Sequence, residues 1–198
     1  MQSKRNVMDY SLFSPETLML SYGYKPELSE GAVKCPIFQT STFVFHSAEE
    51  GKAFFEMAYG KPRHEGEEMG LIYSRINNPD MEILEERLKL WDSSESAAAF
   101  SSGMSAIATT LLTFLSPGDV LLYSNPVYGG THKFILHILT HFGIEVIGFR
   151  AEQDLREVEK LLVETGHAKK LKMIYVETPA NPTNDLIDIE MCSAIAEK

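Results

Sequence analysis

From residue 70 onward the apolar positions follow two alternating patterns: stretches repeating every three or four residues, and short consecutive apolar runs. Ile83, Leu84, Leu88 and Trp91 recur at helical spacing behind Pro79, which suits a first helical turn, and predict a helix over 79–91. The run 97–100 predicts a short buried strand leading into Ser101-Ser102-Gly103-Met104-Ser105. A helix is expected over 106–115, ended by Pro117-Gly118, then a strand over 119–123. Residues 131–142 read as a helix closed by Gly143, and 144–149 as the next strand. Residues 153–164 are amphipathic, 171–176 form an apolar strand, and 189–198 begin another helix.

The first 68 residues read differently. Pro15, Pro26, Pro36 and Pro62, with Gly23, Gly31, Gly51, Gly60 and Gly66, interrupt any long period, so 1–68 is expected to be an irregular arm. Within it Ser47 and Glu50 have the spacing of a helix N-cap and its third residue, ahead of Ala53, Phe54 and Met57. The charged stretch 61–68 reads as a solvated loop. The remainder, 69–198, is α/β: strands separated by helices predict a mostly parallel sheet with right-handed crossovers. In such sheets ligands lie beyond the carboxyl ends of the strands, and every polar motif discussed below follows a predicted strand or precedes a predicted helix.

Composition narrows the class. The 198 residues are 44% hydrophobic, enough to bury a core without disulfides or metals. A net charge of -10 gives no electrostatic basis for binding a phosphate backbone, so nucleic acid is not expected as a partner. Cys35 and Cys192 stand far apart in no metal-ligand spacing, so no zinc site or disulfide framework is expected. No apolar segment reaches membrane-spanning length, and the polar opening segment has no apolar stretch behind it. A reducing cytoplasm is the expected compartment.

Four motifs carry candidate chemistry. At Ser101-Ser102-Gly103-Met104 a strand meets a helix, leaving the N–H groups of Gly103 and Met104 as donors at the positive end of a helix dipole. Gly103 admits an anion close to the backbone and Ser102 can add a hydroxyl, although simple capping explains a Ser-Gly turn too. In Tyr73-Ser74-Arg75 a phenol and a guanidinium two residues apart would point the same way along an extended segment and hold a phosphate. A surface arginine beside a packed tyrosine is the plainer alternative.

Asn125-Pro126-Val127-Tyr128-Gly129-Gly130-Thr131 follows the 119–123 strand, and Tyr128 can lie flat on a planar heteroaromatic ring or simply cap the core. Glu177-Thr178-Pro179-Ala180-Asn181-Pro182 follows the last strand, where a proline-stiffened loop can orient the Asn181 amide towards a ligand oxygen, or serve only as a turn. A nucleotide-binding reading finds no GxGxxG after the first strand.

Jointly, in this order and spacing, the four motifs resemble the Cys/Met-metabolism family of pyridoxal-phosphate enzymes. That family includes cystathionine gamma-synthase and gamma-lyase, methionine gamma-lyase and the O-acylhomoserine sulfhydrylases. The resemblance runs from about Thr17 to the end and implies a fold-type I architecture, pyridoxal 5'-phosphate as cofactor and an amino-acid substrate. It also implies a homotetramer built as a dimer of dimers, with active sites shared between subunits.

By resemblance, Ser102, Gly103 and Met104 bind the cofactor phosphate, while Tyr73 and Arg75 reach the phosphate held by the neighbouring subunit. Tyr128 resembles the family's stacking tyrosine, with a part in proton transfer, and Asn181 the residue that hydrogen-bonds the cofactor's phenolic oxygen. The implied reaction breaks or makes a bond at the gamma carbon. Gly130 stands where methionine gamma-lyases typically carry cysteine, which favours synthase, cystathionine lyase or sulfhydrylase chemistry over methionine cleavage. Asp80 stands where threonine is common.

Two family groups are not found in these residues: the aspartate that pairs with the pyridine nitrogen and the lysine that tethers the cofactor. Lys133, Lys160, Lys169 and Lys170 match no such motif. Members are roughly twice this length, so the chain is expected to be the first part of a longer enzyme, its C-terminal domain not included and the segment alone inactive. The competing expectation is a non-catalytic subunit or remnant.

Overall fold

A computed structural model describes residues 10–62 and 69–198. Most of the expected solvated loop, residues 63–68, and the opening residues 1–9 lie outside the described residues. The chain divides into two compact units, one running to Ala99 and one from Phe100 to Lys198.

The first unit is held largely by polar straps between short elements. Helix α1 (Pro15–Leu18) starts at a proline, and α2 (Ala48–Ala58) is capped by Ser47, whose hydroxyl accepts the Glu50 N–H at 3.1 Å. Helix α3 (Pro79–Leu88) has Pro79 in its first turn, as its sequence predicts, and the structure adds Asn78 as N-cap; the helix ends three residues before Trp91. Asp80 does more than favour the helix dipole: its carboxylate accepts the Phe38 N–H at 2.9 Å, while the Asn78 amide donates to the Phe38 carbonyl at 3.1 Å. Those bonds tie an irregular strap to the start of α3. A short antiparallel bridge joins Thr42 to Tyr73.

The second unit carries a three-stranded parallel sheet. Strands β1 (Val120–Ser124), β2 (Glu145–Phe149) and β3 (Leu171–Tyr175) lie in the order β2-β1-β3, with β1 central and buried along its whole length. Its alternation separates two cores. Val120 and Leu122 pack with Ile147, Phe149, Val158 and Met191, whereas Leu121 and Tyr123 pack with Leu111, Ile135 and Leu139.

One face is therefore covered by α6 (Leu155–Glu164) and α7 (Ile189–Ala196), and the other by α4 (Gly103–Phe114) and the helix that follows β1. That helix begins as α5 (Gly129–Lys133), widens to π winding over Phe134–Leu139, and closes at Gly143 with φ 75°. Its closure by a left-handed glycine is the one the sequence predicts. Asp154 and Glu157 form a reciprocal capping box at the start of α6.

A register shift between Val120 and Leu121 inserts one extra β3 residue against β1. Lys172 occupies that insertion and is exposed, so Leu171 and Ile174, three apart, serve the same core while Met173 and Tyr175 serve the other.

Residues 97–100 do not form the strand expected of them, and they are half-exposed to exposed. Three consecutive alanines bring little side-chain area to a sheet, and the Ala99 N–H donates to the Glu85 carboxylate at 2.9 Å instead of to a strand partner. Among the described residues, no helix is long and apolar enough to cross a membrane, and no group of acidic, histidine and cysteine side chains is placed to hold a metal.

Candidate active site at the carboxyl edge of the sheet

After Asn125, whose N–H still donates to the Phe149 carbonyl of β2 at 2.7 Å, the chain turns through Pro126-Val127 into Tyr128, the residue just before α5. Strand β3 ends two residues before Glu177, whose backbone N–H donates to the Ser124 hydroxyl at 3.0 Å and joins the two strand ends. Both segments thus reach the same edge, where ligands bind in parallel sheets.

Helix α4 begins at Gly103 with Ser102 as its N-cap. This start is three residues earlier than the sequence pattern suggests, because Gly103-Met104-Ser105 offers no apolar repeat although its cap is favourable. The Ser102 hydroxyl accepts the Ser105 N–H at 3.1 Å. Among the described residues nothing accepts from the N–H groups of Gly103 and Met104, which open a twelve-residue helix. A Cβ built on Gly103 would meet no atom within 4 Å, so the backbone there is open to an approaching anion.

Ser102, Gly103, Met104, Ile107, Tyr128 and Glu177 line one recess of about 460 Å³. Tyr128 is 52% exposed, which rules out the core-capping alternative for its ring. The ring lies back over Gly130: a Cβ at that glycine would stand 2.6 Å from the ring edge and 3.0 Å from the Met104 sulfur. Gly130 is what permits this ring pose beside the start of α4.

The remaining expected residues are placed as follows. Asn181 stands on the exposed loop beyond Glu177 and is not among the residues lining the recess. Tyr73 and Arg75 belong to the first unit. There Arg75 Nη2 donates to the Tyr73 phenol oxygen at 2.7 Å, and its guanidinium lies 5.0 Å from the Tyr73 ring centroid. Their pairing does not come from extended alternation, as expected; the chain turns immediately after Tyr73, whose carbonyl accepts the N–H groups of Ile76 and Asn77. The turn brings the two side chains together.

The residue that sequence reasoning left without a role is Glu177. Its carboxylate accepts the Tyr128 backbone N–H at 2.6 Å, the Thr131 hydroxyl at 2.9 Å and the Tyr175 hydroxyl at 2.9 Å. Burial, with the hydrogen bond to Glu177 and its negative charge, pushes the Tyr175 phenol above the ordinary tyrosine range. The available signal was a carboxylate directly behind an apolar strand at the ligand edge, a place where an uncompensated charge is costly.

The chain belongs to the Cys/Met metabolism PLP-dependent enzyme family, whose model matches residues 16–198. It is 39% identical over 184 residues to an L-methionine gamma-lyase of Pseudomonas deceptionensis, covering 93% of this chain and 42% of that protein. It is 34% identical over 183 residues to a cystathionine gamma-lyase of Bacillus subtilis, covering 92% and 42%. Among solved structures, a Campylobacter jejuni protein described as an O-acetylhomoserine (thiol)-lyase, carrying N'-pyridoxyl-lysine-5'-monophosphate, matches with a TM-score of 0.79 at 32% identity, covering 93% and 42%. The chain thus spans about two fifths of the length of these relatives, and its fold is that of the fold-type I enzymes.

The recess fits the family's cofactor on its own geometry. Two unpaired N–H groups at a helix start suit a phosphate dianion, the open space at Gly103 lets it approach, and the exposed Tyr128 ring offers a face to a flat heteroaromatic ring.

Proposed function

We propose that the complete protein is a cytoplasmic pyridoxal-phosphate enzyme that breaks or makes a bond at the gamma carbon of a homoserine-derived or sulfur-containing amino acid. The observation that carries this reading is the single recess onto which the Gly103 and Met104 donors and the half-exposed Tyr128 ring converge.

In this reading the N–H groups of Gly103 and Met104 donate to the cofactor phosphate. The Ser102 hydroxyl, whose oxygen already accepts from Ser105, turns its own hydrogen towards the same anion. Tyr128 stacks on the ring and moves a proton at its phenol oxygen, while the Asn181 amide donates to the ring's phenolic oxygen. When bound, the cofactor supplies an electron-withdrawing ring that stabilises negative charge developing on the substrate. Departure of the gamma substituent needs protons taken in turn from the alpha and beta carbons, and Tyr128 brings to the recess a phenol able to exchange one, while the Ser102 hydroxyl serves the phosphate.

Tyr73 and Arg75 bind the phosphate of a neighbouring subunit in a homotetramer of two dimers, and the arm, residues 1–68, reaches that neighbour. Leu12, Leu20, Val33, Ile37, Val44 and Tyr59 support this assignment: they are strongly exposed, more apolar surface than a segment facing only water normally carries.

Two observations pull the substrate assignment in different directions. Gly130 in place of cysteine favours cystathionine or O-acylhomoserine chemistry, whereas the higher identity to the methionine gamma-lyase favours methionine cleavage. Product analysis of the complete, cofactor-loaded protein with methionine, cystathionine and O-acetylhomoserine separates them. Turnover of at least one is expected; no turnover of any would overturn the proposal.

A further inference from the structure

Tyr128 is poorly fixed by its own side chain. Its ring is half exposed, it lies over Gly130, and two glycines follow it directly, so the backbone there is intrinsically loose. As the residue just before α5, Tyr128 makes no side-chain cap for the helix.

What holds this turn comes from another strand. The Glu177 carboxylate, 49 residues away in sequence, accepts the Tyr128 N–H on one oxygen, and on the other the hydroxyls of Thr131, one turn into α5, and of Tyr175, at the end of β3. Backbone bonding of Glu177 to Ser124 keeps the clamp itself in register with β1. Three donors spread over two oxygens compensate the charge, and the geometry is a bracket between the two strand ends rather than an exposed surface acid.

We infer that Glu177 is the positioning residue for Tyr128: its carboxylate fixes the backbone from which the Tyr128 ring projects into the recess. The inference rests on the proposed role of Tyr128 against the cofactor ring. It assigns Glu177 a duty of reach and hydrogen-bond geometry, not of charge. Glutamine keeps the reach, with an amide oxygen for the Tyr128 N–H and an amide N–H for a hydroxyl oxygen. Aspartate keeps the charge but is one methylene too short to bridge both strand ends.

The test uses the complete, cofactor-loaded enzyme and two readouts, kcat and the circular dichroism of the bound cofactor's visible band, which reports how its ring sits against its aromatic neighbour. Glu177→Asp is expected to lower kcat by up to roughly 100-fold, the cost of a misplacement of about 1 Å, and to alter the visible band. Glu177→Gln retains most of both. In a Tyr128→Ala background, Glu177→Asp changes neither readout further, because the ring it positions is gone.

A normal Glu177→Asp enzyme with a defective Glu177→Gln enzyme would mean that charge is what matters, and would overturn the inference. So would equal losses in the Tyr128 and Tyr128→Ala backgrounds, or lost activity with an unaltered band. A wild-type enzyme that takes up no pyridoxal phosphate sinks the proposed function itself, whereas a loaded wild type with indistinguishable variants sinks the role of Glu177 alone.

Discussion

The hydroxyl oxygen of Ser102 accepts the backbone N–H of Ser105 at 3.1 Å, so the third donor of α4 is satisfied by its N-cap while, among the described residues, the first two, on Gly103 and Met104, have no acceptor. Capping and the proposed anion binding thereby fall to adjacent groups of one turn, and mutation can separate them.

Ser102→Ala removes the cap and is expected to cost about 1 kcal/mol of stability in chemical denaturation. Ser102→Asp restores the cap but sets a carboxylate beside the phosphate donors. It should unfold like the wild type while binding pyridoxal phosphate about tenfold or more weakly, since like charges a few ångströms apart repel by roughly 1–4 kcal/mol. Titration of the apoenzyme with cofactor measures the difference.

Arg75→Ala is expected to weaken cofactor retention without destabilising the fold, because Arg75 is exposed and, among the described residues, its hydrogen bond and ring contact are both to Tyr73. If sites are shared between subunits, mixing Arg75→Ala with Tyr128→Phe protein restores activity in sites where both residues are intact. Activity assays on mixed and unmixed preparations check this, and no recovery would argue against sharing.

Gly130→Ala should leave the fold intact yet move the Tyr128 ring. The added methyl would stand 2.6 Å from the ring edge, and a half-exposed side chain can swing away from it. The expected outcome is a melting temperature within a few degrees of the wild type, together with altered kcat and an altered visible band of the bound cofactor.

Tyr175 gives a pH signature. Its folded-state pKa is raised, first by burial and then by the hydrogen bond to Glu177, so the folded protein holds this proton more tightly than the unfolded chain. The associated stability is fully present below the ordinary tyrosine pKa of 10.0 and is lost as pH rises above it. Denaturation between pH 9 and about 11.5 should show stability falling with pH, and Tyr175→Phe should flatten that slope while removing a hydrogen bond of about 1 kcal/mol. Tyr123, also raised by burial, contributes a remaining slope in the same direction.

Local chemistry was legible wherever one short segment decides it. The cap at Ser47, the first-turn Pro79, the stop at Gly143 and the three strands follow from spacing and turn residues, and each strand was read to within a residue or so of its ends. What escaped depends on distant partners. Residues 97–100 look like a strand only until Glu85 takes the Ala99 N–H. The extra residue at Lys172 is invisible without the register against β1. Glu177 reads as part of a turn until Tyr128 and Thr131, more than forty residues away, converge on it. For the candidate site, the Ser-Gly donor turn and the Tyr128 motif were readable because each bears its own chemistry, although the helix was placed three residues late, whereas the Glu177 clamp on Tyr128 is purely tertiary.

In the proposed site the Gly103 and Met104 N–H groups hold a pyridoxal phosphate whose ring stacks on Tyr128. A crystal structure of the complete protein soaked with the cofactor tests it most directly. Phosphate oxygens are expected about 3 Å from both backbone nitrogens, with the ring against Tyr128. A phosphate bound elsewhere, with those two N–H groups facing only water, would contradict it.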